Sequence, residues 1–318
     1  QSPRLSPTRF TILSAILVLI ASTMAWPYRR RDVLDNAVDG PDGVISHLQQ
    51  FGEILFGLPD NATGVKVAEW HEGMGVNPEE LGSYVEGDIL FPVGMGRNGL
   101  KADSARWPGG VVPYMLSPYF NKEQQSLIFD AMDDYHKYTC LKFKPYTGEE
   151  SDYIRITAGN SGCWSSVGRI GGRQDVNLQV PGCLVKKGTV VHELMHAIGF
   201  LHEQSRYERD EFVSIQWNNI INGHAGNFEK ATRETTDAFG VGYDYGSVMH
   251  YSSNAFSRNG QPTIIPRVRR GFFGLFSIED IFQGQSKATL GQREGFSKRD
   301  IQKIRKMYKC GKRRRSYN

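Results

Sequence analysis

The sequence has few cysteines, almost no excess of charge of either sign, and no apolar run long enough to cross a bilayer as a helix. Each shortage narrows the field. The longest apolar stretch, Phe10 to Ala21, falls short of the ~20 residues a spanning helix needs. No other segment comes near it, so no membrane anchor is expected. The net charge of +4 over 318 residues is too small to define a nucleic-acid-binding protein. Much of it comes from Arg29-Arg30-Arg31 and Lys312-Arg313-Arg314-Arg315, which read as solvated, protease-accessible runs rather than contacts for nucleic acid, heparin-like polymers or lipid. The four cysteines, Cys140, Cys163, Cys183 and Cys310, lie too far apart for a four-cysteine zinc site, which is built from close C-x₂₋₄-C pairs. There is no internal repeat, and no accessory module is read after Cys310.

What is present points to export. Arg4 and Arg9 precede the apolar run, and Ser22-Thr23-Met24-Ala25 follows it, the order of a secretory signal peptide with removal expected after Ala25. The chain begins at Gln1 rather than Met, so an upstream start is expected. An even number of cysteines in an exported protein suggests two disulfides, with three possible pairings. The sequon Asn61-Ala62-Thr63 allows a glycan on Asn61. Composition is that of an ordinary globular protein, with enough chain for a sizeable core.

Residues 26–97 are Gly- and acid-rich and lack cysteine. Val44 to Leu58 suggests a short amphipathic helix there, and the rest reads as loop. Gly94-Met95-Gly96-Arg97-Asn98-Gly99 reads as an exposed, cleavable stretch. From Trp107 onward the pattern is that of a packed domain. Strands are expected at Val111–Leu116, Leu141–Tyr146, Tyr153–Thr157 and Val176–Val180. Asn121–Thr139 reads as a helix with Leu127, Ile128, Ala131, Met132 and Tyr135 on one face. A second helix starts near Thr189, and a third is opened by the capping-box pattern Ser297-Lys298-Arg299-Asp300 and runs to Cys310.

The chemistry concentrates in His192-Glu193-Leu194-Met195-His196-Ala197-Ile198-Gly199-Phe200-Leu201-His202. Residues four apart share a helix face, so His192 and His196 can grip one metal ion. Glu193 sits at the rim, within reach of a water on that ion. Gly199 can take the left-handed conformation that ends a helix and turns the chain back, which brings His202 round as a third ligand. Three imidazoles leave a fourth zinc position open, the arrangement of a catalytic rather than a structural site. A bare H-E-x-x-H arises by chance in about one chain in a hundred of this length at average composition, and the fixed Gly199 and His202 make chance rarer still.

Glu203-Gln204-Ser205-Arg206 follows directly, and Ser247-Val248-Met249-His250-Tyr251 follows some 45 residues later, in the range of a Met-turn. With Cys163-Trp164-Ser165-Ser166-Val167-Gly168, these motifs resemble the astacin family of metzincin zinc peptidases across roughly residues 70 to 310. The resemblance implies an α+β, two-lobed catalytic domain. Its N-terminal lobe holds a mixed twisted sheet and two long helices, one carrying the zinc motif. The C-terminal lobe is mostly irregular and ends in a helix. It also implies one Zn²⁺, Glu193 as general base, and Tyr251 as an additional zinc ligand that swings away to hydrogen-bond the oxyanion. Met249 would lie beneath the metal. Disulfides Cys140–Cys310 and Cys163–Cys183 are implied, as is an edge strand at Cys163, Trp164 and Ser165 that pairs an extended protein or peptide substrate.

Gly82-Ser83-Tyr84-Val85-Glu86-Gly87-Asp88-Ile89 resembles the family's F-x-G-D latency motif, with Val85 replacing the aromatic. Asp88 would then reach the zinc in an inactive precursor. An activating protease cutting after Arg97 would free Asn98, whose ammonium would reach Glu203. The expected organisation is a signal peptide over 1–25, a propeptide over 26–97, an astacin-like catalytic domain over 98–310 and a basic tail over 311–318. Arg293, in Leu290-Gly291-Gln292-Arg293, resembles the basic position that favours an acidic residue just after the scissile bond. A catalytically silent, matrix-binding secreted protein of the same fold is the alternative. Damage at Glu193 or a ligand would mark it, and none is visible.

Overall fold

The computed structural model describes residues 44–93, 105–232, 239–267 and 290–311. The signal-like segment, the Arg97-Asn98 junction and the Lys312–Arg315 run lie outside the described residues.

The helical expectation for Val44–Leu58 divides into α1 (Val44–Gln49) and a 3-10 turn over Gly52–Leu55, followed by β1 (Phe56–Gly57). The expected loop beyond it contains a helix, α2 (Asn61–Ala68). Asp60 caps it by accepting from the backbone N–H groups of Ala62 and Thr63, which satisfies two of the first-turn donors. Gly64 is required by packing: a Cβ there would lie 2.0 Å from the carbonyl oxygen of Asn160. A 3-10 turn over Pro78–Leu81 follows, opened by a capping box between Asn77 and Glu80. The short β2 (Phe91–Pro92) then pairs parallel with β1.

The main sheet uses β3 (Val111–Leu116), β4 (Lys142–Pro145), β5 (Tyr153–Thr157), β6 (Cys163–Ser165) and β7 (Arg173–Leu178) in the order β4-β3-β5-β7-β6. All neighbours are parallel except β6 and β7. Pro113 is tolerated in β3 because pairing with β5 starts only at Tyr114, so its missing N–H interrupts no ladder on that side. Strand β7 begins three residues before the expected start. Its polar residues Gln174 and Asn177 are buried and hide the apolar pattern.

Helix α3 (Lys122–Tyr138) is capped by Asn121 and Gln124 and buries Ile128, Ala131, Met132 and Tyr135. Helix α4 (Lys187–Ala197) starts ahead of the expected Thr189, and every residue from Gly188 to Ala197 is buried. Both pack with the sheet around Val112, Ile154, Ile156, Val176, Val191, Leu194 and Met195. Among its described residues the C-terminal lobe has 3-10 turns, the antiparallel pair β8 (Val213–Ile215) and β9 (Ile264–Pro266), and α5 (Lys298–Met307). Ser297 and Asp300 form the expected capping box of α5. Disulfides join Cys140 to Cys310 and Cys163 to Cys183.

The upstream segment is part of this body. Leu48, Leu55, Val85, Ile89 and Phe91 share a buried cluster with Ala105, Val167 and Ile170, and each such side chain is worth roughly 1.5–3 kcal/mol relative to exposure. Val85 therefore takes a core position where the latency motif carries an aromatic.

Candidate active site

Helix α4 presents His192 and His196 on one face, with ring centroids 4.8 Å apart. The helix ends at Ala197, and Gly199 turns the chain at φ +110° against Met307, whose Cε would lie 2.8 Å from any Cβ there. His202 arrives 4.7 Å from His196 and 5.2 Å from His192, centroid to centroid. The Nδ1 atoms of His192 and His196 donate to backbone carbonyls, Val248 at 2.8 Å and Phe200 at 2.7 Å. His202 Nδ1 donates to a carboxylate oxygen of Glu86 at 2.7 Å. A carbonyl or a carboxylate only accepts, so each ring carries a proton on Nδ1 and can offer an Nε2 lone pair inward to a cation.

Asp88 faces all three Nε2 atoms. Its carboxylate lies 2.9 Å from His192 Nε2, 3.4 Å from His196 Nε2 and 3.3 Å from His202 Nε2. The four potential ligand atoms all fall within 4.8 Å of one another. His196 Nε2, His202 Nε2 and Asp88 Oδ1 are buried without a hydrogen-bond partner, a costly arrangement unless a cation gathers them. Three imidazoles and a carboxylate are a zinc donor set, so the residues fit one zinc ion. The electrostatics agree. Burial would push the Asp88 carboxyl up, but His202, His196 and His192 hold it well below the usual range. Burial likewise disfavours charge on His202, yet Asp88 and Glu86 lift it to about 9. The pocket attracts positive charge.

Glu193 is fully buried beside this group, and neither carboxylate oxygen has a hydrogen-bond partner. Burial, then the charges of Asp88 and Glu79, push its carboxyl well above the ordinary range. Tyr251 lies against His202, 4.6 Å between centroids, and its hydroxyl donates to the backbone carbonyl of Glu86 at 2.6 Å. Met249 is buried in the cluster that packs α4, and its carbonyl accepts from Glu203 N at 3.0 Å. Asp300 holds this turn. Besides capping α5, it accepts from Ser247 Oγ at 2.6 Å and Val248 N at 2.9 Å, the same Val248 whose carbonyl orients His192.

Glu203 already carries three donors: Arg206 Nη1 at 2.9 Å, Asp244 N at 2.8 Å and the ammonium of Lys303. Burial would raise this carboxyl, but Lys303 and Arg206 bring it to about 2. Asn98 lies outside the described residues. Arg293 is buried, with a short ion pair to Glu79 and a 3.2 Å bond to the His250 carbonyl. Edge strand β6 holds Cys163, Trp164 and Ser165, all buried. Ser165 N donates to Asp88 O at 2.9 Å, and Leu90 N donates to Ser165 O at 3.1 Å, so residues 88–90 lie parallel along that edge. Trp164 packs edge-on against Tyr84. Asn61 is exposed on the first turn of α2, while Thr63 is buried and bonded to Asp60.

Sequence reasoning missed Glu79, Glu80, Glu86, His47 and Lys303. Glu80 accepts from Ser252 N at 2.7 Å and Ser252 Oγ at 2.6 Å. The Asn77…Glu80 spacing of a capping box was the one available signal for that turn.

A mixed sheet, a buried helix with two histidines, a glycine turn to a third, and a methionine turn whose Val248 carbonyl orients His192 define the metzincin class of zinc-peptidase domains. The chain belongs to the Astacin peptidase family, whose family model matches residues 99–309. It is 41% identical over 237 residues to zinc metalloproteinase nas-13 of Caenorhabditis elegans, covering 74% of this chain and 48% of that protein. The chain thus spans about half the length of that relative. It is 35% identical over 275 residues to zinc metalloproteinase nas-4 of the same organism, covering 80% of this chain and 81% of the relative. Among solved structures, high choriolytic enzyme 1, a hatching enzyme zinc-protease from Oryzias latipes, superposes with a TM-score of 0.56 at 35% identity, covering 66% of this chain and 96% of that one.

Proposed function

We propose that this chain is the precursor of a secreted zinc endopeptidase that hydrolyses protein substrates, with residues 26–97 as a propeptide removed by cleavage between Arg97 and Asn98. The observation that carries the reading is the convergence of Asp88 on His192, His196 and His202, with the unpartnered carboxylate of Glu193 alongside. Export is supported by the signal-like N-terminus and the two disulfides, which persist in oxidising compartments.

His192, His196 and His202 would hold the zinc. When bound, zinc supplies Lewis-acid polarisation of the scissile carbonyl and makes an attacking water more acidic. The protein supplies the rest. Edge strand β6 offers backbone donors and acceptors to an extended peptide. Glu193 takes a proton from the attacking water and returns it to the leaving nitrogen. The Tyr251 hydroxyl donates to the oxygen on which negative charge develops. Arg293 offers a guanidinium to an acidic side chain just beyond the scissile bond.

In the precursor each of these groups except Glu193 is engaged by the upstream segment. Asp88 faces the ligands, the Glu86 carbonyl takes the Tyr251 hydroxyl, residues 88–90 lie along β6, and Glu79 takes Arg293. Removing this one stretch frees the whole site. The test is casein hydrolysis before and after limited cleavage at Arg97, with and without a zinc chelator. Activity should appear on cleavage, vanish with the chelator and return with zinc. A cleaved, zinc-loaded chain that leaves casein intact would refute the reading.

A further inference from the structure

Two of the three histidines are oriented by backbone carbonyls of their own domain, Val248 and Phe200. The third, His202, is oriented by a charged side chain from the upstream segment. We infer that the Glu86 carboxylate, supported by His47, is a positioning residue for the metal ligand His202, so that the precursor holds its zinc more tightly than it would without that carboxylate. The inference rests on the metal-site reading above.

Both oxygens of Glu86 are committed. Oε2 accepts from His202 Nδ1 at 2.7 Å and Oε1 from His47 Nε2 at 2.7 Å. On the far side of His47, Nδ1 faces the Gln50 side-chain nitrogen at 2.7 Å. His47 therefore accepts from Gln50 on Nδ1 and donates to Glu86 from Nε2. Glu86 and His47 are 1% and 2% exposed, so the chain His47–Glu86–His202 works where water does not screen it. A carboxylate behind an imidazole fixes its tautomer and increases electron donation from the opposite nitrogen more than a neutral carbonyl does.

The backbone supports a dedicated role. Glu86 has φ +48°, a left-handed conformation that Gly, Asn or Asp accepts far more readily than Glu. A residue held in that region marks a place where side-chain chemistry outweighs local preference. Here the strained backbone also turns the Glu86 carbonyl onto the Tyr251 hydroxyl and leads through Gly87 to Asp88. The upstream segment thus approaches the site with two carboxylates, one facing the Nε2 atoms and one behind His202. This suits loading of the metal at the precursor stage.

The experiment is competition for zinc between the full-length precursor and a chromogenic chelator at fixed pH, using wild type, Glu86→Gln, His47→Ala, Asp88→Ala and the Glu86→Gln/Asp88→Ala pair. Glu86→Gln keeps the shape and an acceptor oxygen but loses the charge. It should weaken zinc binding by about 10–100-fold, the usual effect of removing an outer partner of a metal-bound histidine. His47→Ala, which leaves Glu86 in place, should shift affinity the same way by less. The Glu86→Gln loss should persist in the Asp88→Ala background. If it disappears there, Glu86 acts only by placing Asp88, and the inference fails. Equal zinc affinity in wild type and Glu86→Gln also overturns it. A wild-type precursor that binds no zinc would instead overturn the metal-site reading beneath it. The visible spectrum of the cobalt-substituted precursor provides a second readout: it should differ between wild type and His47→Ala, and identical spectra would count against the proposal.

Discussion

The hydroxyl of Tyr251 donates a 2.6 Å hydrogen bond to the backbone carbonyl of Glu86, a peptide oxygen presented 165 residues upstream in the sequence. That oxygen is the same kind of group that a substrate would present. Tyr251→Phe in the activated enzyme removes this donor and leaves the ring packed against His202 and Phe228. Turnover should fall by about 10²–10³-fold, the effect of losing one oxyanion donor, with little change in KM. Steady-state kinetics on a peptide substrate checks this. A variant that loses binding but keeps turnover would make Tyr251 a substrate-contact residue.

Glu193 touches no hydrogen-bond partner, so its replacement should remove chemistry rather than structure. Glu193→Ala should retain one zinc per chain by metal analysis and keep a native-like near-UV circular dichroism spectrum. Its kcat should drop by at least about 10²–10⁴-fold, the worth of a general base. Turnover close to normal in the metal-loaded variant would rule out the assigned role.

Asp88→Ala removes the carboxylate that faces His192, His196 and His202. The uncut precursor should then leak activity on a small peptide that needs little of the β6 edge. A silent Asp88→Ala precursor would show that the contacts of Glu79, Glu80, Glu86 and residues 88–90 suffice to cover the site.

Arg293 is buried and paired with Glu79, and on the function proposed above this carboxylate would stand in for an acidic substrate side chain. Two peptides that differ only in Asp or Ala after the scissile bond measure the preference. The activated enzyme should favour Asp by roughly 10-fold or more, from a charge-assisted bond of ~1.5–3 kcal/mol, and Arg293→Ala should abolish the difference. A preference that survives the substitution assigns the selection to another residue.

Gly199 combines φ +110° with a Cβ position only 2.8 Å from Met307 Cε. Gly199→Ala adds backbone strain of order 1–3 kcal/mol at the turn that delivers His202. Zinc affinity should fall together with the thermal midpoint, measured by chelator competition and calorimetry. An unchanged affinity would show that the turn adapts without moving His202.

Much of the site is local, and that part was legible. The i, i+4 spacing of His192 and His196 places them on one helix face wherever the helix lies. Gly199 supplies the backbone freedom that brings His202 back within six residues of His196. Ser297 and Asp300 announce the start of α5 through a capping box that needs no tertiary partner. The family resemblance added the two disulfide pairings, which four cysteines alone left open among three.

The remainder depended on partners far apart in sequence. Helix α2 carries Gly64 and two β-branched valines, Val65 and Val67, so its propensity is poor; it forms because Asp60 caps it and Gly64 lets it press against Asn160. Helix α4 has no side-chain cap at Lys186, so no local signal marks its true start ahead of Thr189. The ion pairs Arg293–Glu79 and Lys303–Glu203 and the link from Glu86 to His202 leave no periodic trace. Each joins residues about 100 or more apart, and a charged side chain in a sequence looks the same whether it ends in water or in a core. The three histidines, their helix and their turn could be read from a short stretch of chain, because covalent geometry and hydrogen-bonded periodicity act over a few residues. Only the folded chain decided which carboxylate faces the ligands and which stands behind His202, because burial makes charges seek partners wherever the sheet and helices bring them together.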